Sequence, residues 1–177
     1  MSNYKGTMLL EADPALNYER AVKEFALEMI AGGRAVFAFT SRGSPVHLLL
    51  KDVPGLQFFI LSENPYTKPG GESLEVMVPR GDHAILLNII AETTEKSPEK
   101  PKALVFDNIS SLILDSGFQA CYKFLRQVNE ILSREDVISI FLVLSKAHDD
   151  KMMNLVRHLY SGQLAYNSSG FHVTKQA

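Results

Sequence analysis

Short apolar runs alternate along the chain with longer stretches whose apolar residues recur every three to four positions, and this alternation predicts the elements. Gly6 to Ala12 (GTMLLEA) is apolar and stops at Asp13-Pro14, so it reads as a strand, proline steering the preceding residue toward extended backbone. From Asn17 the period becomes 3.6. Ala21, Val22, Phe25, Met29 and Ile30 share one stripe, Glu19, Arg20, Lys23, Glu24 and Glu28 lie off it, and Gly32-Gly33 supplies the stop. Arg34 to Thr40 (RAVFAFT) is again strand-like, and the breakers Ser-Arg-Gly-Ser-Pro follow.

The middle of the chain is less regular. Val46 to Leu50 suggests a short helix, Leu56 to Leu61 a buried strand, Asn64 to Ser73 a loop, and Leu74 to Val78 another short strand. Asp82 is placed to cap a helix whose stripe is Ile85, Leu86, Ile89 and Ile90, running to about Glu95 and ended by Lys96 to Pro101. Ala103 to Asp107 is a strand. Gly117 to Ser133 is a helix with Phe118, Cys121, Tyr122, Leu125, Val128 and Leu132 inward. Val137 to Leu144 (VISIFLVL) is continuously apolar, the signature of a strand buried on both faces. His148 to about Ser161 reads as a helix with Met152, Val156 and Leu159 on one side. Gln163 to Tyr166 and Phe171 to Thr174, around Asn167-Ser168-Ser169-Gly170, form a hairpin pattern.

Strands alternating with helices require βαβ crossovers, so the fold class is α/β: three layers, a mostly parallel sheet and a C-terminal β-hairpin, in one domain over residues 1–177. Ligands of such sheets gather at the carboxyl ends of the strands, here residues 13–19, 41–45, 107–111 and 145–150. Lys and Arg number 18 against 20 Asp and Glu, a net charge of -2, which disfavours nucleic acid as a partner. The single cysteine, Cys121, makes no internal disulfide, and no secretory segment or apolar run of about 18 residues is present. A cytoplasmic, non-membrane protein is expected.

A glycine opening the first strand, Asp-Pro after it, a helix ending in Gly-Gly, and an apolar strand ending in Asp107 resemble the RecA/KaiC-like ATPase core. Lys102 to Phe118 (KALVFDNISSLILDSGF) is similar to the Walker B strand of that family, and also to its uncharacterised archaeal relatives. The resemblance implies a RecA-like fold with a first loop of the form Gly-x-x-x-x-Gly-Lys-Ser/Thr, whose amides and lysine cradle phosphates while the hydroxyl holds Mg²⁺. Against that pattern Asn17 falls where the second glycine belongs, Tyr18 where the lysine belongs and Glu19 where the Ser/Thr belongs. A carboxylate about 5 Å from a phosphate oxygen costs roughly 3 kcal/mol at an effective dielectric of about 20, and the lost lysine removes a similar attraction. Where the family carries a catalytic acid after the second strand, this chain has Ser41-Arg42. Only Asp107 matches.

Two readings of these positions stand side by side. A dismantled nucleotide site is one; ordinary helix chemistry is the other, since Asn17 is a good N-cap, Glu19 favours a first turn, and Asp107 suits a turn. No catalytic residues are expected, and no metal, because His47, His83, His148, His158 and His172 lie in different elements. Ser110-Ser111 have no histidine placed by sequence to activate them, and Cys121 lies on an apolar stripe. The expectation is a non-catalytic RecA/KaiC-like domain that acts through a protein partner or as a homo-oligomer, without a cofactor. The alternative is a nucleotide-binding protein or ATPase that holds ATP and Mg²⁺ in a cleft of Asp107, Arg42 and His148.

Overall fold

The computed structural model describes residues 6–63, 75–95, 99–134, 136–168 and 170–175. Eight strands form one sheet: β1 (Thr7–Ala12), β2 (Ala35–Thr40), β3 (Leu56–Ser62), β4 (Glu75–Pro79), β5 (Lys102–Phe106), β6 (Val137–Leu144), β7 (Gly162–Asn167) and β8 (Gly170–Lys175). Their order is β4-β3-β2-β5-β6-β1-β7-β8. Every neighbouring pair is parallel except β7 with β8, the C-terminal hairpin. Since β1 and β2 are not neighbours, β5 and β6 enter between them, and the chain's direction across the sheet reverses there.

Six helices cover the sheet: α1 (Glu19–Ala31), α2 (Pro45–Leu50), α3 (His83–Glu95), α4 (Ile109–Ser116), α5 (Phe118–Leu132) and α6 (Asp150–His158). Alternation along each strand divides the core in two. Met8, Leu10, Ala38, Val105 and Ile140 meet Val22, Phe25 and Met29 of α1 and Val46 and Leu50 of α2. Leu9, Phe39, Leu104, Phe106 and Phe141 meet α3, α4, α5 and α6 on the other face. The first seven residues of β6 are buried, as its continuous apolar run predicts. Each fully buried Phe or Leu contributes about 2 kcal/mol of apolar transfer, so the three layers follow from pattern alone.

Several expectations change in detail. Helix α4 adds an element the sequence pattern does not assign: Ile109 to Ser116 follows Asn108, whose side chain accepts the Ser111 N–H. In α3 the buried residues are Leu86, Ile90, Thr93 and Thr94, while Ile85 is exposed. In α5 Phe124 takes a core place, and Phe118 and Tyr122 are only half-buried. Helix α6 begins at Asp150, capped by Asp149 and preceded by a 3-10 turn (Ser145–Ala147), so His148 lies outside it; Met153, not Met152, packs inward. The expected loop 64–73, Leu74 and residues 96–98 lie outside the described residues. Among the described residues no helix is long and apolar enough to cross a membrane.

Candidate functional site

The carboxyl ends of β2, β5, β6 and β1 form one row, because these strands are consecutive in the sheet. Phe39 pairs with Phe106, so the residues that follow, Thr40 and Asp107, stand side by side, and the Asp107 N–H extends the ladder to the Phe39 carbonyl at 2.8 Å. By alternation both side chains face α1 and α2. Asp107 is 2% exposed. Its Oδ2 accepts from Thr40 Oγ1 at 2.7 Å and from Ser44 Oγ at 2.9 Å, the two hydroxyl oxygens being 2.8 Å apart. Asn108 Nδ2 donates to Oδ1 at 3.3 Å. Ser44 also caps α2, accepting the His47 N–H at 3.1 Å. Burial pushes the Asp107 carboxyl above its ordinary range, and the three donors oppose that shift.

Tyr18 packs on the same face, 7% exposed among Val22, Met8 and Leu10 of the core. Its phenol is pushed up to about 12, by burial first and then by the carboxylates of Asp107 and Glu19. The ring therefore lies within electrostatic reach of Asp107. Tyr18 itself opens α1 with helical backbone (φ -62, ψ -23) and no side-chain cap. This corrects the N-cap expected at Asn17: an N-cap has extended backbone and an accepting side chain, whereas Asn17 is exposed and only its carbonyl is used, by the Arg20 N–H. Glu19 is in the first turn, where a carboxylate complements the helix dipole.

The loop ahead of α1 folds onto its own oxygens. Pro14 has no N–H; the Ala15 N–H donates to Asp13 Oδ1 at 3.0 Å, the Leu16 N–H to the Asp13 carbonyl at 3.0 Å, and the Tyr18 N–H to the Leu16 carbonyl at 2.9 Å. An ammonium does reach this loop, from Lys146 behind β6, and Asp13 binds it. That hydrogen bond, foremost, holds the Asp13 carboxyl below the usual carboxylate range.

Arg42 and His148 bond other groups than Asp107. Arg42 Nη2 pairs with Glu75 Oε2 at 2.7 Å, so this loop arginine is tethered to the edge strand β4. His47 Nδ1 accepts the Gly43 N–H at 3.1 Å, which places its proton on Nε2, donating to Glu75 Oε1 at 3.0 Å. His148 Nε2 instead meets Ser110 Oγ at 2.8 Å, and Ser110 Oγ accepts the Leu144 N–H at 3.0 Å. The expectation that no histidine is placed to meet Ser110 is thus corrected: Ser110 lies in the first turn of α4 and His148 just past the 3-10 turn that follows β6, a proximity no spacing reveals. Ser110 is 2% exposed, so the pair ties α4 to the end of β6 and presents no open nucleophile. Cys121 is buried in the core, and burial pushes its thiol up to about 12.

Thr40 and Ser44 were not singled out in the sequence, although Ser44-Pro45 carries the N-cap and first-turn proline signature that fixes Ser44 beside Asp107. Among the described residues no group of three His, Cys, Asp or Glu side chains is arranged to hold a metal ion.

No family model matches the chain, and no curated protein does. Solved structures do. A protein from Pyrococcus horikoshii OT3 superposes with a TM-score of 0.74 at 16% identity, covering 99% of this chain and 88% of that one. The flagellar accessory protein FlaH from Methanocaldococcus jannaschii superposes with a TM-score of 0.54 at 13% identity, covering 98% of this chain and 79% of that one. At these identities the likeness shows the fold alone: an α/β, mostly parallel sheet of RecA-like architecture with a C-terminal antiparallel hairpin.

Proposed function

We propose that this protein is a RecA/KaiC-like domain that does not turn over nucleotide and works through contacts with other proteins. The observation that carries the reading is Tyr18. Where the resemblance calls for an exposed ammonium, a phenol ring is packed into the core within reach of Asp107. A triphosphate with Mg²⁺ does not fit the residues present. Three N–H groups of the loop are spent on Asp13 and Leu16, Pro14 offers none, and a carboxylate stands at Glu19. Asp107 already satisfies Thr40 and Ser44, and a metal ligand would have to give up both. β2 ends in a hydroxyl, Thr40, that donates to Asp107, and Ser41-Arg42 after it supply no acid to orient a water.

Isothermal titration with ATP and Mg²⁺ is expected to show no heat in the micromolar range. A clear micromolar heat, lost in Asp107→Ala, would replace this reading with the nucleotide-binding alternative.

A further inference from the structure

Helices α4 and α5 meet at Gly117, whose φ of 80° turns the chain sharply between them. Two surface features converge at this corner. The first is apolar: Leu114 is 82% exposed, the most open large hydrophobic side chain among the described residues. Phe118 and Tyr122, half-buried on the next helix, pack with ring centroids 5.8 Å apart and planes tilted by 38°. A cavity of 530 Å³ opens two residues beyond Leu114, walled by Ser116 to Ala120 and Lys123. The second feature is charge. A neighbouring cavity of 330 Å³ is lined by Lys123, Arg126, Gln127 and Glu130, so Lys123 belongs to both. Among the described residues neither Lys123 nor Arg126 forms an ion pair, whereas Asp115, at the end of α4, is already held by Arg80 at 2.8 Å.

We propose that the α4–α5 corner is a docking surface for an acidic, amphipathic segment of a partner protein. An apolar side chain of that segment enters the cavity beside Phe118, the exposed Leu114 at the end of α4 adds apolar surface, and the segment's carboxylates face Lys123 and Arg126. Apolar surface supplies the binding energy, and the two cations set the sign of the partner. Duplex nucleic acid would meet two cations and Glu130, too little positive charge for a phosphate backbone. The inference rests on the protein-contact reading above, but on different residues.

The test uses the whole protein and a labelled synthetic helical peptide carrying Glu on one face and Leu on the other. Controls replace Leu by Ser, or Glu by Lys. Fluorescence anisotropy is expected to show binding of the Glu/Leu peptide only, and amide shifts are expected at residues 114–126. Lys123→Glu with Arg126→Glu is expected to weaken binding by about tenfold or more, and to invert the preference toward the Lys peptide. Leu114→Ser, at an exposed position where the fold loses little, is expected to weaken it similarly. Equal binding of the Lys peptide to the unmodified protein, absence of binding, or shifts mapping elsewhere would overturn the proposal. So would self-association in sedimentation velocity that Leu114→Ser abolishes, since that assigns the corner to a second copy. These outcomes leave the ATP titration untouched, so the two readings fail separately.

Discussion

His148 Nε2 lies 2.8 Å from Ser110 Oγ, joining the segment after β6 to the first turn of α4 across 38 residues of sequence. Ser110 Oγ also accepts the Leu144 N–H, and with one proton and a second lone pair it completes the contact with His148 in either imidazole tautomer. Burial holds His148 below its ordinary value against the pull of Asp149, and burial does the same to His83 against Asp82.

A histidine whose folded value is depressed contributes stability that is complete above its unfolded value, about 6.5, and is lost as pH falls through the folded one. The protein is therefore expected to lose melting temperature as pH falls below about 6.5. Thermal melts across that window should be flatter for His148→Gln, and flattest when His83→Gln is added. Identical slopes for the unmodified protein and the double variant would contradict this assignment.

Asp107 shifts the other way. Burial raises its folded value, so its contribution is complete below the unfolded carboxylate value and declines as pH rises through the folded one. Asp107→Asn keeps an oxygen to accept from Thr40 and Ser44 while removing the charge. Its melting temperature is expected to exceed that of the unmodified protein at pH 7, with the difference closing toward pH 4. Thr40→Val, by contrast, takes away the 2.7 Å donor and should cost about 1–3 kcal/mol in a urea titration.

Much of this architecture is legible in the chain because periodicity reports burial directly. The run Val137 to Leu144 shows a strand buried on both faces, the stripe from Ala21 to Met29 shows which side of α1 packs, and Asp82 caps α3 through the Ala84 and Ile85 N–H groups as expected. What stays hidden is set by neighbours in space. The resemblance puts Tyr18 at the lysine position, but only the fold shows that its ring packs into the core on the same sheet face as Asp107. Arg42 reads as a solvated loop residue until β4 places Glu75 beside it. The α4 stripe is hidden for a different reason: ISSLILDS directly continues an apolar strand, and one turn of polar residues is too little to mark the break.

Close packing between β1 and β7 makes Gly162 irreplaceable on steric grounds. A Cβ there would come within 2.7 Å of Met8 Cγ, and Met8 is 3% exposed on the strand that pairs with β7. Gly162→Ala is expected to destabilise by about 1–3 kcal/mol, the usual cost of overfilling a packed core. Met8→Ala vacates the contested space, so the double variant should be more stable than the sum of the single changes implies. Strict additivity in chemical denaturation would show that the strand simply shifts away.

The last expectation concerns restoring the missing chemistry. Replacing Tyr18→Lys and Glu19→Thr supplies the ammonium and the alcohol that the resemblance calls for, at the positions it assigns. Binding is nonetheless expected to stay weaker than micromolar, because side chains are only half of a phosphate site. The other half is a set of backbone N–H groups free to converge on the anion, and here those of Ala15, Leu16 and Tyr18 stay committed to Asp13 and Leu16, with none at Pro14. The same double change removes a ring that is 7% exposed, and a core aromatic lost in this way costs about 3 kcal/mol, so a drop in melting temperature should accompany the unchanged calorimetric trace. Micromolar heat from this variant would mean that the side chains alone had closed the site and that the loop backbone rearranges on demand. A variant that also replaces Asp13 and Pro14 by glycine separates the two causes: it frees the Ala15 N–H from Asp13 Oδ1 and returns an N–H at position 14, and binding that appears only then locates the block in the backbone.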